Sequence, residues 1–589
     1  PISAMTGMIS GSSIANVVTT GTFTIPLMKK VGFSAEKAGA VEVAASTNGQ
    51  LTPPVMGAAA FLMVEYVGIS YVEVIKHAFL PAIISYIALV YIVHLESCKM
   101  GLEGMERTVT KTIAQKLLSF IMTILFIIII GGVTYFGLGW IKGVAGGATI
   151  YIVSLLLAAA YFTLTWLACR VPELEITHEI NELPDLGETA QAGYYFLLPV
   201  VVLMWCLTVE RLSPSLSAYW ATMLLIVIVL TQRPLKGFIR KTKGDEFSFK
   251  RGFNEFVNGL VSGARNMIGI GVATAAAGIV VGTVTLTGIG LVMTEFVEFI
   301  SGGNLMLILF FTAVISLILG MGLPTTANYI VVSTLMAPVI VELGAQNGLI
   351  VPLIAVHLFV FYFGILADDT PPVGLAAFAA AGISGGDPIR TGIQGFTYDI
   401  RTAILPFMFI FNTELLMIGI GTWFHLVTVV ITAVIAMLVF AAATQGFFLT
   451  KSRFYETIVL LLVTFTLFRP GFFWDKVYPP FEEKPGTQLV QIVENLEPGS
   501  MLRLKIKGEN MKGKEFTKAM MLSVGNAKSG IERLSEIWFE VRTEDKKVLV
   551  DNVMFGSNAE KMGVDFDQEV ILVQMPSKRP PKQLLYFPA

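Results

Sequence analysis

Gly320-Met321-Gly322-Leu323-Pro324-Thr325-Thr326-Ala327-Asn328 interrupts one of the most apolar parts of a 589-residue chain. Leu305 to Leu319 lead into it and Tyr329 to Leu343 lead out, both strongly apolar. In water such a knot of Gly, Pro and small polar side chains would be an ordinary loop. Lipid offers nothing to the N–H and C=O groups that a broken helix frees, so in a membrane the break survives only inside protein or against a polar site. Discontinuous helices at membrane depth are where transporters hold ions and substrates.

The composition places the chain in lipid. It is 54% hydrophobic and 14% charged, with mean hydropathy +0.71, against about 25% charged residues in a soluble domain. The runs Phe126–Ile130 and Met223–Leu230 are cores of spans, each of which needs ~20 mostly apolar residues. Membrane lipid is therefore a partner, and a formal charge of -2 gives no footing for nucleic acid. Cys98, Cys169 and Cys206 stand at no metal spacing and read as small packing residues, so no transition metal is expected. Pro1 opens the chain without a charged region or a cleavage site, which is no signal peptide. The expectation is a chain that begins inside a longer protein.

A search for internal repeats finds one. Gly11-Ser-Ser-Ile-Ala-Asn16 aligns with Gly322-Leu-Pro-Thr-Thr-Ala-Asn328, and Pro26 then falls on Pro338. Thr52-Pro-Pro-Val55 matches Thr370-Pro-Pro-Val373, followed by Phe61 and Phe378. Gly68-Ile-Ser70 matches Gly382-Ile-Ser384, and Leu80-Pro81 matches Leu405-Pro406. Each half thus carries a helix–tip–helix hairpin and then a helix broken at Thr-Pro-Pro, where two prolines remove donors and restrict the residue before them. The division expected is 1–97 first transport repeat, incomplete; 98–254 connecting helices; 255–422 second repeat; 423–471 last membrane helices; 472–589 a soluble strand-rich domain. The fold class is an all-α polytopic membrane protein with inverted repeats, re-entrant hairpins and broken helices of the elevator type.

The tips offer hydroxyls, an amide and free carbonyls without charge. That shell suits a hard monovalent cation such as Na⁺, and helix N-termini beside it favour an anionic substrate group. Packing and simple kinking are the competing reading. Asp368 and Asp369 are adjacent carboxylates at membrane depth, functional by default, or else caps of the half-helix that follows. Glu42 and Glu65 are weaker candidates near a membrane boundary, and His357 reads as a bonded core residue. Gly269 to Gly278 reads as close packing through small residues, and Leu286 to Ile300, carrying Glu295 and Glu298, as an interfacial segment. The basic loop Arg233 to Arg251 is expected inside, which would open the first tip inward and the second outward.

These motifs resemble a known family. GSSIAN followed by TIPLMKK, AGAVEVAASTNGQLTPPVMGAAAF, GMGLPTTANYIV and HLFVFYFGILADDTPPVGLAAFAAAGIS look like the large membrane subunit of TRAP transporters, more narrowly the fused permeases that work with TAXI-type binding proteins, over roughly residues 1–450. The resemblance implies a Na⁺-driven secondary importer of organic anions, usually carboxylates, multi-pass in a prokaryotic cytoplasmic (inner) membrane. It implies a TAXI-type extracytoplasmic solute-binding protein as partner, a small membrane subunit, fused or separate, before this chain, and Na⁺ as coupling ion without a nucleotide. Carried over by motif, the Na⁺ and substrate candidates are Ser12, Ser13, Asn16, Gly49 and Thr52 in one half, and Gly322, Thr325, Thr326, Asn328, Asp368 and Thr370 in the other. Asp369 joins them from the residue reading, and Na⁺ itself is assigned to Ser12, Asn16, Thr325, Asn328 and Asp368. In this chain only Pro1 to Ser10 precede the first tip, where fused members carry more.

The C-terminal part alternates apolar and charged residues (Leu502 to Lys507; Trp538 to Arg542), and Val550 to Ile571 looks like half of a PDZ-type peptide-binding domain, with a structural module the equal alternative. Gly508-Glu-Asn-Met-Lys-Gly-Lys-Glu515 nearly matches a phosphate loop, but Glu515 stands where Mg²⁺ needs a hydroxyl, so it reads as a turn and an ATP-driven pump is disfavoured. An ion channel and an intramembrane aspartyl enzyme are the remaining rivals; the chain has no HExxH and no GxSxG.

Overall fold

The computed structural model describes residues 2–53, 56–102, 132, 136–171, 191–242, 247–287, 292, 296–297, 299–302, 304–321, 325–509, 515–527, 529–545, 547–554, 557, 559, 564–577 and 580. The apolar run Phe126–Ile130 lies outside these residues, as do most of Leu286 to Ile300 and parts of Val550 to Ile571. The chain divides into two compact units. One comprises residues 1–69, 73–104 and 273–589, the other 70–72 and 105–272.

In the first unit the same order of elements occurs twice. Helices α1 (Ile2–Ser10) and α2 (Ser13–Val31) form a hairpin, α3 (Ala35–Leu51) and α4 (Gly57–Val67) are halves of a broken helix, and the long α5 (Tyr71–Lys99) follows. The second unit holds α6 (Leu138–Ala145), α7 (Thr149–Ala168), α8 (Leu198–Thr208) and α9 (Pro214–Arg240), and α10 (Phe249–Thr287) leads out of it. The first unit then resumes with the hairpin α11 (Leu305–Gly320) and α12 (Thr325–Gln346), the broken helix α13 (Leu353–Leu366) and α14 (Leu375–Ser384), and the long α15 (Pro388–Phe411). Last come α16 (Trp423–Gln445), α17 (Phe454–Phe468) and α18 (Gly471–Val477). Among the described residues five stretches are long and apolar enough to cross a membrane, and the pair α17–α18, bent by 70°, adds a sixth if it counts as one span. Other apolar helices, among them both halves of α13–α14, are shorter, as helices interrupted at membrane depth must be.

The core of the first unit interleaves the two repeats. Val17, Ile25, Ala40 and Val43 from the first hairpin and α3 pack with Ala376, Ala380 and Tyr398 from α14 and α15. Small residues allow the close approach. A Cβ on Gly49 would stand 2.7 Å from Gly7 Cα, and one on Gly39 would stand 3.0 Å from Thr391 Cγ2. In the Gly-rich part of α10 a Cβ built at Gly259, Gly263, Gly271, Gly278 or Gly282 meets nothing within 4 Å, so among the described residues these small residues make no close helix contact.

The C-terminal part is a six-stranded antiparallel sheet: β1 (Phe481–Pro485), β2 (Met501–Glu509), β3 (Glu515–Ser523), β4 (Phe539–Glu544), β5 (Lys547–Val553) and β6 (Glu569–Pro576), ordered β3-β2-β6-β5-β4 with β1 on β6. Leu502, Leu504 and Ile506 are buried at alternate positions of β2, and with Phe539 and Val573 they fill the core under α19 (Leu489–Asn495) and α20 (Gly530–Glu536). Alternation of this kind is the mark of a strand with one face on a core. The near-phosphate-loop sequence joins two paired strands, Glu509 opposite Glu515. No helix follows it, so it lacks the strand–loop–helix setting that phosphate binding needs. The sheet meets the membrane part where β3 packs on α12. Arg503 donates to the carbonyl of Gly348, in the turn after α12, and the buried Lys518 lies 3.8 Å from Glu342. Burial pushes the Lys518 ammonium pKa down.

Phe539→Ala is expected to cost the sheet domain about 3–5 kcal/mol by emptying its core. In detergent-purified protein this should appear as rapid proteolysis between residues 481 and 576 while the helical part stays resistant; equal resistance of both parts would contradict the assigned core.

Candidate functional site

The two hairpins are stitched to the broken helices by one amide in each half. Asn16, on α2, donates through Nδ2 to Ser3 O at 2.6 Å and to Ser46 Oγ at 2.9 Å. Asn328, on α12, donates to Ser316 O at 3.3 Å and to Gly364 O at 3.4 Å. Ser3 and Ser316 lie on the first arms of the hairpins, while Ser46 and Gly364 each stand six residues before the Thr of Thr-Pro-Pro. Three residues further on, Gly49 packs on Gly7, and Ala367 on Gly320. Equivalent residues thus make equivalent contacts, which is the repeat expressed as structure.

The halves differ in one bond. Asn16 Oδ1 accepts from Thr6 Oγ1 at 2.5 Å. The residue before Gly320, matching Thr6 before Gly7, is Leu319. Asn328 Oδ1 is accordingly buried with no hydrogen-bond partner among the described residues. A buried carbonyl left without a donor costs free energy and is free to face a cation.

Both repeats converge on Asp368. Its Oδ2 accepts from Ser13 Oγ at 2.6 Å and lies 3.4 Å from Thr325 Oγ1, which also reaches Gln50 Oε1 at 3.1 Å. Ser13 and Thr325 are the first residues of α2 and α12, so two helix N-termini, one from each half, are brought to one carboxylate. Their dipoles favour negative charge there. Gln50 and Asp368 each stand two residues before the Thr of their break; the equivalent positions face the same site with a carbonyl in one half and a carboxylate in the other.

The next residue, Asp369, is fully buried and turns the other way. Its Oδ1 accepts from Thr47 Oγ1 on α3 at 2.8 Å. Asp399 on α15 lies within its hydrogen-bonding reach. Asp399 is in turn paired with Arg401, Nη1 to Oδ1 at 2.6 Å, both with no exposed surface. Arg401 donates from Nε to Ser85 O on α5 at 2.9 Å and from Nη1 to Tyr398 O. Ser85 Oγ continues the network to Asn48 Oδ1 at 2.6 Å and Thr402 Oγ1 at 3.2 Å. Asp399, Arg401, Thr47 and Ser85 are the residues that sequence reasoning missed. The available signal was Asp399 and Arg401 inside an otherwise apolar segment, since charge at membrane depth is functional by default.

The other expected residues serve the frame. Ser12 accepts from Ala15 N at 3.3 Å and N-caps α2. Thr52 and Thr370 donate back along their own helices, to Asn48 O at 2.8 Å and Leu366 O at 2.7 Å. Gly49 serves close packing, Thr326 is half-buried, and Gly322 lies outside the described residues. Ser13, Thr325 and Asp368 are the expected residues that meet directly. The capping alternative for the aspartates is corrected: α14 starts behind Gly374, and Asp368 contributes only its main-chain oxygen, to Ala376 N at 3.2 Å. Glu42 stands apart from the Asp368 centre. It is buried on α3 and accepts from Thr20 and Thr24, both at 2.5 Å. His357 is a bonded core residue, Nδ1 to Tyr329 Oη 2.7 Å.

Twin hairpins, twin broken helices and a converging polar centre inside an apolar helical chain define a multi-pass membrane protein built on a repeat. The family model described as "Tripartite ATP-independent periplasmic transporter, DctM component" matches residues 2–158 and 139–424. The chain belongs to that family, the large permease component of TRAP secondary transporters, which is a transporter component and not an enzyme. Membership implies an extracytoplasmic binding protein and a small membrane subunit as partners. Residues 426–589 match a second family, described as a domain of unknown function (DUF3394). A comparison with curated proteins found no match.

Asn16→Ala should remove the bonds of its amide to Thr6, Ser3 and Ser46, at about 0.5–1.5 kcal/mol for each bond lost, while Thr6 keeps Ser3 O and Ser3 Oγ keeps Ser46 Oγ. Asn328→Ala removes two long bonds and one unsatisfied carbonyl, and should cost less. Thermal unfolding in Na⁺-free detergent buffer ranks the two; a larger loss at Asn328 would contradict the asymmetry.

Proposed function

We propose that this chain couples Na⁺ entry to uptake of an organic anion, a carboxylate, across the cytoplasmic (inner) membrane of a prokaryote. A TAXI-type extracytoplasmic binding protein delivers the substrate. The observation that carries the reading is Asp368, reached by Ser13 from the first hairpin and Thr325 from the second. A carboxylate, two hydroxyls and the Gln50 carbonyl are hard oxygen donors, the set that Na⁺ takes, and the site holds no soft ligand that would favour a transition metal. Asn328 Oδ1, lacking a donor, supports a cation on the second repeat.

The substrate anion binds at the helix N-termini that open at Ser13 and Thr325, with Ser12 and Thr326 beside them. A cation at Asp368 neutralises the carboxylate that would otherwise repel that anion, so ion and substrate bind together and the ion gradient drives the substrate. Because Ser13 and Thr325 belong to different hairpins, occupancy of the site also holds the two tips together. Thr52, Thr370, Gly49 and Asn16 keep the breaks and hairpins in register around it, and Gly322 belongs to the second tip. Uptake follows the elevator scheme, in which the hairpins and broken helices move as one body past the connecting helices.

Asp368→Asn in the full permease, assayed with its binding protein in proteoliposomes, should raise the Na⁺ concentration for half-maximal uptake ~10-fold or more, since losing a hydrogen-bonded charge costs about 1.5–3 kcal/mol. Uptake by the unmodified permease that is indifferent to the Na⁺ gradient would overturn the reading.

A further inference from the structure

The connecting helices enclose a cavity that the Asp368 site does not use. It measures about 550 Å³ and lies between α7, α8 and α9, all within the second compact unit. Its walls are mostly apolar among the described residues, with Ile150, Val153, Val202, Trp205, Met223 and Val227 facing one another. Volumes of this order belong to pockets that enclose small molecules.

The cavity is a wedge closed at one end. Beyond Leu157 and Leu224 the walls meet, where Ala168, Tyr195, Leu198 and Ile228 form a buried cluster with Leu157 and Leu224 packed against it. Tyr161 Oη lies 2.9 Å from Thr231 Oγ1, and Tyr195 donates to Gln232 Oε1 at 2.8 Å, so α7 and the turn before α8 are both tied to α9 there. The other end opens where the chain leaves its helices, at Gly146 and Gly147 before α7 and at Glu210 and Leu212 after α8. From Thr149 to Leu157 the wall given by α7 runs about 12 Å at the rise of an α-helix. One leaflet is about 15 Å deep, half of a ~30 Å hydrocarbon core. A blind wedge of that depth suits an acyl chain, whereas a spanning helix would have to continue through the closed end.

The polar groups stand in a matching order. At the mouth Glu210 Oε2 pairs with Lys142 Nζ of α6 at 2.7 Å, and both side chains keep some exposure. An ion pair so placed contributes little by itself, which leaves each charge available to a ligand group of opposite sign. About one turn further in, Trp205 Nε1 is buried with no hydrogen-bond partner among the described residues. A buried N–H without an acceptor costs free energy, and Trp side chains favour the boundary where one edge meets polar groups and the other meets lipid. Charges of both signs, then a lone donor, then an apolar blind end correspond to a zwitterionic headgroup, a glycerol ester and an acyl chain.

We propose that this wedge binds a membrane phospholipid whose headgroup carries a phosphate and a primary ammonium. Lys142 holds the phosphate, Glu210 accepts from the ammonium, Trp205 Nε1 donates to an ester carbonyl, and an acyl chain fills the cavity. The bound lipid fixes the splay of α7 from α8 and α9 and so stiffens the connecting helices. The site is independent of how the transport centre is coupled.

The test is native mass spectrometry of the detergent-purified full permease, as purified and again after delipidation and incubation with phosphatidylethanolamine, phosphatidylglycerol or phosphatidylcholine. The intact protein should retain one phospholipid and bind phosphatidylethanolamine ~10-fold more tightly than the other two, since neither can donate an N–H to Glu210 and a hydrogen bond to a charged group is lost. Lys142→Gln combined with Glu210→Gln should still bind lipid but without that preference. Trp205→Phe should bind phosphatidylethanolamine ~5-fold more weakly, the loss of one neutral hydrogen bond. Ser154→Phe, which fills the wedge from α7, should lose the lipid while gel filtration and thermal unfolding stay as in the intact protein. Equal binding of the three lipids by the intact protein would overturn the headgroup assignment. Undiminished phosphatidylethanolamine binding by folded Ser154→Phe would overturn the site. A benzophenone attached at Ser154→Cys should crosslink to lipid in the native membrane, and a crosslink to a protein segment instead would overturn lipid as the occupant.

Discussion

Two helices that begin more than three hundred residues apart in sequence point their first hydroxyls at the same carboxylate oxygen. The meeting of Ser13, Thr325 and Asp368 is possible only because each repeat turns back within its own length, and because Gly and Pro allow the turns. Everything else in the transport unit serves that convergence. The backbone groups freed at each turn must find partners inside the protein, and Asn16 and Asn328 take up a share of that duty by tying both arms of a hairpin to the helix that breaks beside it. The small residues Gly7, Gly49, Gly320 and Ala367 let the three helices come close enough for one amide to span them.

The frame of this arrangement was legible in the sequence because it is written in residues with few other uses. Thr-Pro-Pro, Gly at a tip and Ala-Asn after it announce backbone breaks whatever surrounds them, and two occurrences in the same order announce a repeat. The strand domain was legible for a similar reason: Leu502, Leu504 and Ile506 alternate with charged residues, and the structure buries those three. What the sequence could not give was the direction of side chains across the interleaved halves. Asp399 and Arg401 lie in a helix that reads as one more span, and only packing brings them to Asp369 from thirty residues away. The same limit explains Glu42, whose partners Thr20 and Thr24 no sequence pattern names. In the Gly-rich α10 a Cβ at the small residues meets nothing within 4 Å among the described residues. Small residues permit close contact without requiring that the partner be in the same chain.

The repeats are equal in architecture and unequal in chemistry. Gln50 stands opposite Asp368, Leu51 takes the place of Asp369, and Leu319 takes the place of Thr6. At its break the first half is therefore without charge, and its hairpin amide is satisfied, while the second holds the carboxylates of the break and the amide carbonyl without a partner among the described residues. A duplicated scaffold of this kind puts the shape of the site under the control of both repeats and the carboxylates of its second break under the control of one.

The sheet domain is attached to the more charged half. Arg503 holds the carbonyl of Gly348 and Lys518 approaches Glu342, both at the far end of the arm that begins at Thr325. One end of α12 thus touches the polar centre and the other touches a folded domain. A single helix spans the distance between the carboxylate of the break and the strands of the sheet, so the two share one mechanical element.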